Sequence, residues 1–151
     1  PLRPAPTQVP PAAKRRVLPA LGRVENPVLV DRAIATALTE VVPRQDFTSY
    51  LSVLLRNRAT REGTWELIRD RWPEVRAKAD SPMLLRRLVE SIGNLTERRH
   101  LDQVERFIDE HPIESAKQAT AQTLERMRTD VTLRERLIPQ VSTWLLDSSA
   151  G

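Results

Sequence analysis

Hydrophobic positions along the chain recur at spacings of three and four. No window alternates apolar and polar residues for long, so the pattern predicts helices and not strands. The sharpest stripe lies between Thr60 and Ala79. There Trp65, Ile68, Trp72 and Val75 fall at i, i+3, i+7 and i+10, with Glu66, Arg69, Asp70 and Arg71 mostly on the other side. The chain has only six aromatic residues, and a buried indole removes more surface from water than any aliphatic side chain. Whatever packs on this stripe is therefore the expected centre of the core. Thr60 or Thr64 is the expected cap, and Pro73 should kink the helix or start a fresh turn.

The same spacing lays out the other helices. A first one over 12–24 would turn Val17, Leu18 and Leu21 inward, with Pro19 as a kink. Asn26-Pro27 reads as an N-cap followed by proline at the first helical position. It starts a helix running to about Val41, with Ala33, Ile34, Ala37, Leu38 and Val41 inward and Pro43 as its stop. Phe47, Tyr50, Leu51, Leu54 and Leu55 define a helix over 44–57. Ser81-Pro82 repeats the capped start. Leu84, Leu85, Leu88, Val89 and Ile92 follow inward, and Gly93-Asn94 is expected to close that helix as a C-cap. Thr96 should open a helix carrying Leu101, Val104, Phe107 and Ile108 and ended by His111-Pro112. Another should begin near Glu114 or Ser115, with Ala116, Ala119, Thr123, Leu124 and Met127 inward. Thr132 and Glu135 have capping-box spacing and predict a separate last helix burying Leu133, Leu137, Val141, Trp144 and Leu145, kinked at Pro139.

Residues 26–34 and 81–89 align as a faint repeat. Short breaks between amphipathic helices make neighbours antiparallel, and the pattern predicts an all-α superhelix of stacked helix pairs, HEAT- or armadillo-like, with a concave face. The expected boundaries are a Pro-rich linker or arm over 1–11, the helical domain over 12–147 and a frayed tail over 148–151.

Composition narrows the function classes. Without cysteine, disulfides and thiolate metal sites are excluded, and a reducing, cytoplasmic setting is the expectation. No apolar run approaches the ~20 residues of a membrane span. The chain starts on Pro and not Met, and is read as a fragment or processed product. Its net charge is +4, carried by 21 Arg and three Lys, which raises the question of nucleic acid. The arginines are interleaved with acids, as in Glu66 to Arg71 and in Glu105-Arg106, where a phosphate-tracking surface needs one clustered face; no nucleic-acid partner is expected.

Candidate chemistry is sparse. His100 and His111 are eleven apart and lack the i, i+4 spacing of a chelating pair. Asp109-Glu110-His111 is cut off by Pro112, Ser91 before Ile92-Gly93 is not a nucleophile elbow, and four glycines leave no phosphate loop. No catalytic, metal or cofactor residue is assigned, and the binding residues stay unassigned.

Several segments together resemble the C-terminal helical domain of the gluzincin zinc aminopeptidases, the superfamily of aminopeptidase N and of the puromycin-sensitive and endoplasmic-reticulum aminopeptidases. They are Arg16 to Leu21 with Asn26-Pro27-Val28-Leu29, Val41 to Asp46, Arg61 to Trp72 as the most specific piece, Val104 to Phe107 with His111-Pro112, Thr123 to Met127, and Thr143-Trp144-Leu145. The resemblance covers about 12–146 and rests on packing and capping residues; Pro73 directly after Trp72 departs from the family pattern. It implies a non-catalytic α-superhelical domain of a zinc-dependent aminopeptidase. The zinc and catalytic groups would lie upstream, in a catalytic domain that is the expected partner. The concave face would close the substrate chamber and contact the C-terminal side of the peptide. The alternative from another class is a free-standing HEAT-like scaffold that binds a protein partner.

Overall fold

The computed structural model describes residues 18–149, and among these the secondary structure is helical with no strand. The expected linker at 1–11, Val17 and the last two residues lie outside the described residues. After a helical turn at 18–21 come α1 (Pro27–Thr36), α2 (Arg44–Arg56), α3 (Arg61–Asp70), α4 (Trp72–Lys78), α5 (Pro82–Ile92) and α6 (Arg98–Glu110). A 3-10 turn (Glu114–Ala116) then leads into the long α7 (Lys117–Ser149).

The two proline starts work as the sequence predicts. Asn26 Oδ1 accepts from the Val28 amide at 3.0 Å, and Ser81 Oγ from the Leu84 amide at 3.2 Å, each satisfying an amide that the first turn leaves open. The first helix ends by residue 21, short of 24. α1 also stops early, at Thr36. The Thr36 hydroxyl folds back on the Arg32 carbonyl, Ala37 N–H bonds Ile34 in a tighter turn, and Val41 ends exposed instead of buried.

The core is built on α2, α3 and α5. Phe47, Tyr50, Leu51, Leu54 and Leu55 of α2 are all buried, as are Leu84, Leu85, Leu88, Val89 and Ile92 of α5, and the two helices pack on each other. α3 lies against α2 and is crossed by α1 at Gly63, where an added Cβ would stand 2.7 Å from Ile34 Cδ1. The tryptophan stripe is buried as read, and its helix breaks in two. Arg71 leaves helical geometry at φ −117°, ψ 35°, and a fresh helix starts at Trp72 with Pro73 in its first turn, where no amide is needed. Phe107 makes T-shaped contacts with both indoles, its ring centroid 5.5 Å from that of Trp65 and 5.1 Å from that of Trp72. Trp65 Nε1 donates to Gln103 Oε1 at 2.7 Å, which docks α6 across the broken helix.

Two helix starts differ from expectation. Thr60 sits at the N-cap of α3, but its hydroxyl donates to the Leu54 carbonyl at 2.6 Å, and that of Thr64 to the Thr60 carbonyl. The first closes the α2–α3 turn and the second lies along the first turn of α3; neither hydroxyl caps. Gly93 closes α5 as its C-cap, as expected, with right-handed backbone at φ −61°. It is small because α7 passes overhead: an added Cβ would meet Thr123 Cγ2 at 2.9 Å and the end of Arg126 closer still. α6 begins at Arg98 instead of Thr96, with Glu97 at its N-cap.

The largest correction concerns the last helix. Thr132 and Glu135 start nothing, because α7 runs unbroken from Lys117 to Ser149 through Pro139. Glu135 instead forms a two-pronged ion pair with Arg98, at 2.9 and 3.0 Å. Leu133, Leu137, Val141, Trp144 and Leu145, expected inward, are exposed. The physical reason is length: Ala119, Thr123, Met127 and Val131 are buried where α7 crosses α5 and α6, and beyond Val131 no residue of α7 is buried.

Candidate functional site

The two histidines lie apart in role. His100 is buried, and its Nε2 donates to Glu62 Oε2 at 2.8 Å, while Nδ1 has no partner among the described residues. Arg99 holds the same carboxylate at 2.8 Å. Burial pushes the Glu62 carboxyl up, but the hydrogen bonds from His100 and Arg99 outweigh it and hold the group below the usual carboxylate range. His111 caps α6 and its ring leans on Phe107, 5.0 Å between centroids. His100 thus clasps α6 to α3, and His111 also leans toward Trp72 of α4, 6.3 Å between ring centroids. Ser91, rejected above as a nucleophile, donates to the Arg87 carbonyl at 2.8 Å. Asp109 and Glu110 lie exposed at the end of α6. Among the described residues no cluster of three His, Asp or Glu could hold a metal ion.

The candidate site is a groove of ≈ 440 Å³ where α2, α5 and α7 meet. One wall is the stripe Thr48, Ser52 and Arg56 of α2, at i, i+4 and i+8, with Ser49 beside it. The other is Arg87, Glu90, Ser91 and Asn94, at i, i+3, i+4 and i+7 along α5 and just past its end. Arg126 reaches in from α7 and donates to the Glu90 carbonyl at 3.2 Å, and Leu18 closes one end.

Three features mark this groove for an anion. Arg56 and Arg87 have no side-chain ion pair or hydrogen bond among the described residues, and Arg126 bonds only a backbone carbonyl. The single acid, Glu90, is held by Arg86 at 2.8 Å on its own helix. On the floor lies Thr48, 1% exposed, whose Oγ1 is one of two buried polar side-chain atoms without a partner among the described residues. Unpaired guanidiniums beside free hydroxyls recognise carboxylate or phosphate oxygens. A larger hollow of ≈ 640 Å³ between the start of α5 and the 3-10 turn contains Arg86, already paired, and Lys117, with no unpartnered buried atom in its lining.

Sequence reasoning missed this groove. Its signal was present as a second stripe, polar and basic, on helices recognised by their apolar faces. Nothing in the chain order tells that the stripes of α2 and α5 face each other. Compared with known families, residues 5–129 match the one described as the ERAP1-like C-terminal domain.

Proposed function

The chain belongs to the ERAP1-like C-terminal domain family, a non-catalytic domain of zinc aminopeptidases, and from this premise we propose that it closes the substrate chamber of its parent enzyme and contacts the C-terminal side of the peptide. Zinc and the bond-breaking groups belong to the catalytic domain, which is the partner in the same polypeptide; this chain binds and positions. Stacked helix pairs forming a curved wall are part of the reading, supported by α5 packing against both α2 and α7 and by α6 packing on α7.

The observation that carries the peptide contact is the groove. A peptide's free carboxylate is a planar anion that a guanidinium engages through two parallel hydrogen bonds, and a hydroxyl adds a third. Arg87 stands on the α5 wall, Arg126 reaches in from α7, Arg56 belongs to the α2 wall, and the unpartnered Thr48 hydroxyl lies at the base. The chain then senses where a peptide ends, while chemistry occurs at the other end.

The test is a titration of this chain with a fluorescent peptide acid and with its C-terminal amide. The acid binds, and the amide binds at least about tenfold more weakly, the worth of one charge-assisted hydrogen bond. Arg87→Ala with Arg126→Ala removes the difference. Equal affinity for acid and amide overturns the contact. The same preparation hydrolyses no aminoacyl anilide.

A further inference from the structure

We propose that Gly93 is a positioning residue of the groove: having no side chain, it lets the Arg126 guanidinium lie across the C-terminal end of α5 and be held there before an anion arrives. The ligand rests on the peptide reading above; the socket itself rests on the packing of α5 and α7.

The last turn of α5 leaves one carbonyl for a side chain. A helix end orphans its last carbonyls unless something outside the helix reaches them. Here the Gly93 amide donates to the Val89 carbonyl at 3.3 Å, the Asn94 amide to Ser91 at 3.0 Å and the Leu95 amide to Ile92 at 3.0 Å. Asn94 Nδ2 adds a second bond to the Ser91 carbonyl at 2.8 Å. Among the described residues the Glu90 carbonyl is taken by Arg126 Nη2, at 3.2 Å. A cation at this end also meets the negative pole of the helix dipole. Arg126 is thus tied in place, where Arg56 and Arg87 have no such bond among the described residues. A guanidinium has five N–H donors, so most of them stay free for a ligand.

Space at position 93 permits this arrangement. The backbone there is right-handed, at φ −61° and ψ −4°, so no positive φ demands glycine. An added Cβ would overlap Arg126 Nη2 and stand 3.2 Å from its Cζ and 2.9 Å from Thr123 Cγ2. The tip of a long arginine is the most yielding member of that contact, and it yields by leaving the Glu90 carbonyl. An arginine fixed beforehand loses less side-chain freedom on binding than a loose one, a difference of about threefold to tenfold in affinity.

The test uses this chain with Gly93→Ala, and with Gly93→Ala in a Thr123→Ser background, where the methyl on α7 is gone and the overlap with Arg126 alone remains. Each is compared with and without Arg126→Ala. Without ligand, alanine at 93 should lower the melting midpoint by at least about 2 °C more when Arg126 is present than when it is replaced. In the titration with peptide acid and amide, it should weaken the acid about threefold to tenfold, leave the amide unchanged, and have no further effect once Arg126 is alanine. A purely structural role for Gly93 would instead weaken both ligands in both backgrounds. Unchanged acid affinity, or a loss that persists without Arg126, overturns the proposal. If the parent chain binds acid and amide alike, the peptide reading falls, and the ligand-free comparison decides the socket: equal melting shifts with and without Arg126 overturn it.

Discussion

The two halves of α7 carry the same apolar spacing and meet opposite fates. From Ala119 to Val131 the stripe is buried under α5 and α6; from Leu133 to Leu146 the same stripe lies open. Helical periodicity encodes a face, and a face is buried only where another element reaches it. α6 begins at Arg98, and its last holds on α7 are the Arg98–Glu135 pair and the Arg134–Thr96 bond. Beyond that point the helix has outrun its support, which is why a stripe read as inward stands in solvent.

Substitutions can break or sharpen this contrast. The largest effect is expected at the aromatic joint. Phe107→Ala removes the ring that both indoles meet and should lower the unfolding free energy by about 3–5 kcal/mol, read as an earlier denaturant midpoint at unchanged slope. Val131→Ala and Val141→Ala then form a matched pair on one helix. The first should cost about 2 kcal/mol because its methyls are buried, and the second should stay within about 0.5 kcal/mol.

Glu62→Ala comes between them, at about 1 kcal/mol, because it strips the buried His100 of its hydrogen-bond partner among the described residues while the carboxylate itself is partly solvated. Its pH dependence has a definite sign. The Glu62 carboxyl is depressed in the folded chain, so its contribution is present above the unfolded carboxylate value of about 4.3 and is lost as pH falls through the lower folded value. The gap between parent and variant should hold from neutral pH down to that point and close below it, in parallel denaturant titrations. A gap that widens on acidification would contradict the clasp.

Much of the body was legible because short-range chemistry decides it. Asn26-Pro27 and Ser81-Pro82 set two helix starts, and the apolar stripes of α2, α3 and α5 are the buried ones. The misreadings share one cause. Thr60 and the Thr132/Glu135 pair each carry a local capping signal, and in each another element redirects it: the Leu54 carbonyl and the Arg98 guanidinium. The groove stayed hidden for the same reason. Thr48, Arg87 and Arg126 are brought together by packing of three helices, and their spacing within each helix gives no sign of the other two.

The account depends most on that groove receiving a peptide's terminal carboxylate. Amide chemical shifts of this chain should be followed while a peptide acid is titrated in, with the C-terminal amide as control. The account predicts movement concentrated at Thr48, Ser52, Ser91 and Asn94 with the acid and little with the amide. Movement elsewhere, or equal movement with both ligands, would contradict it.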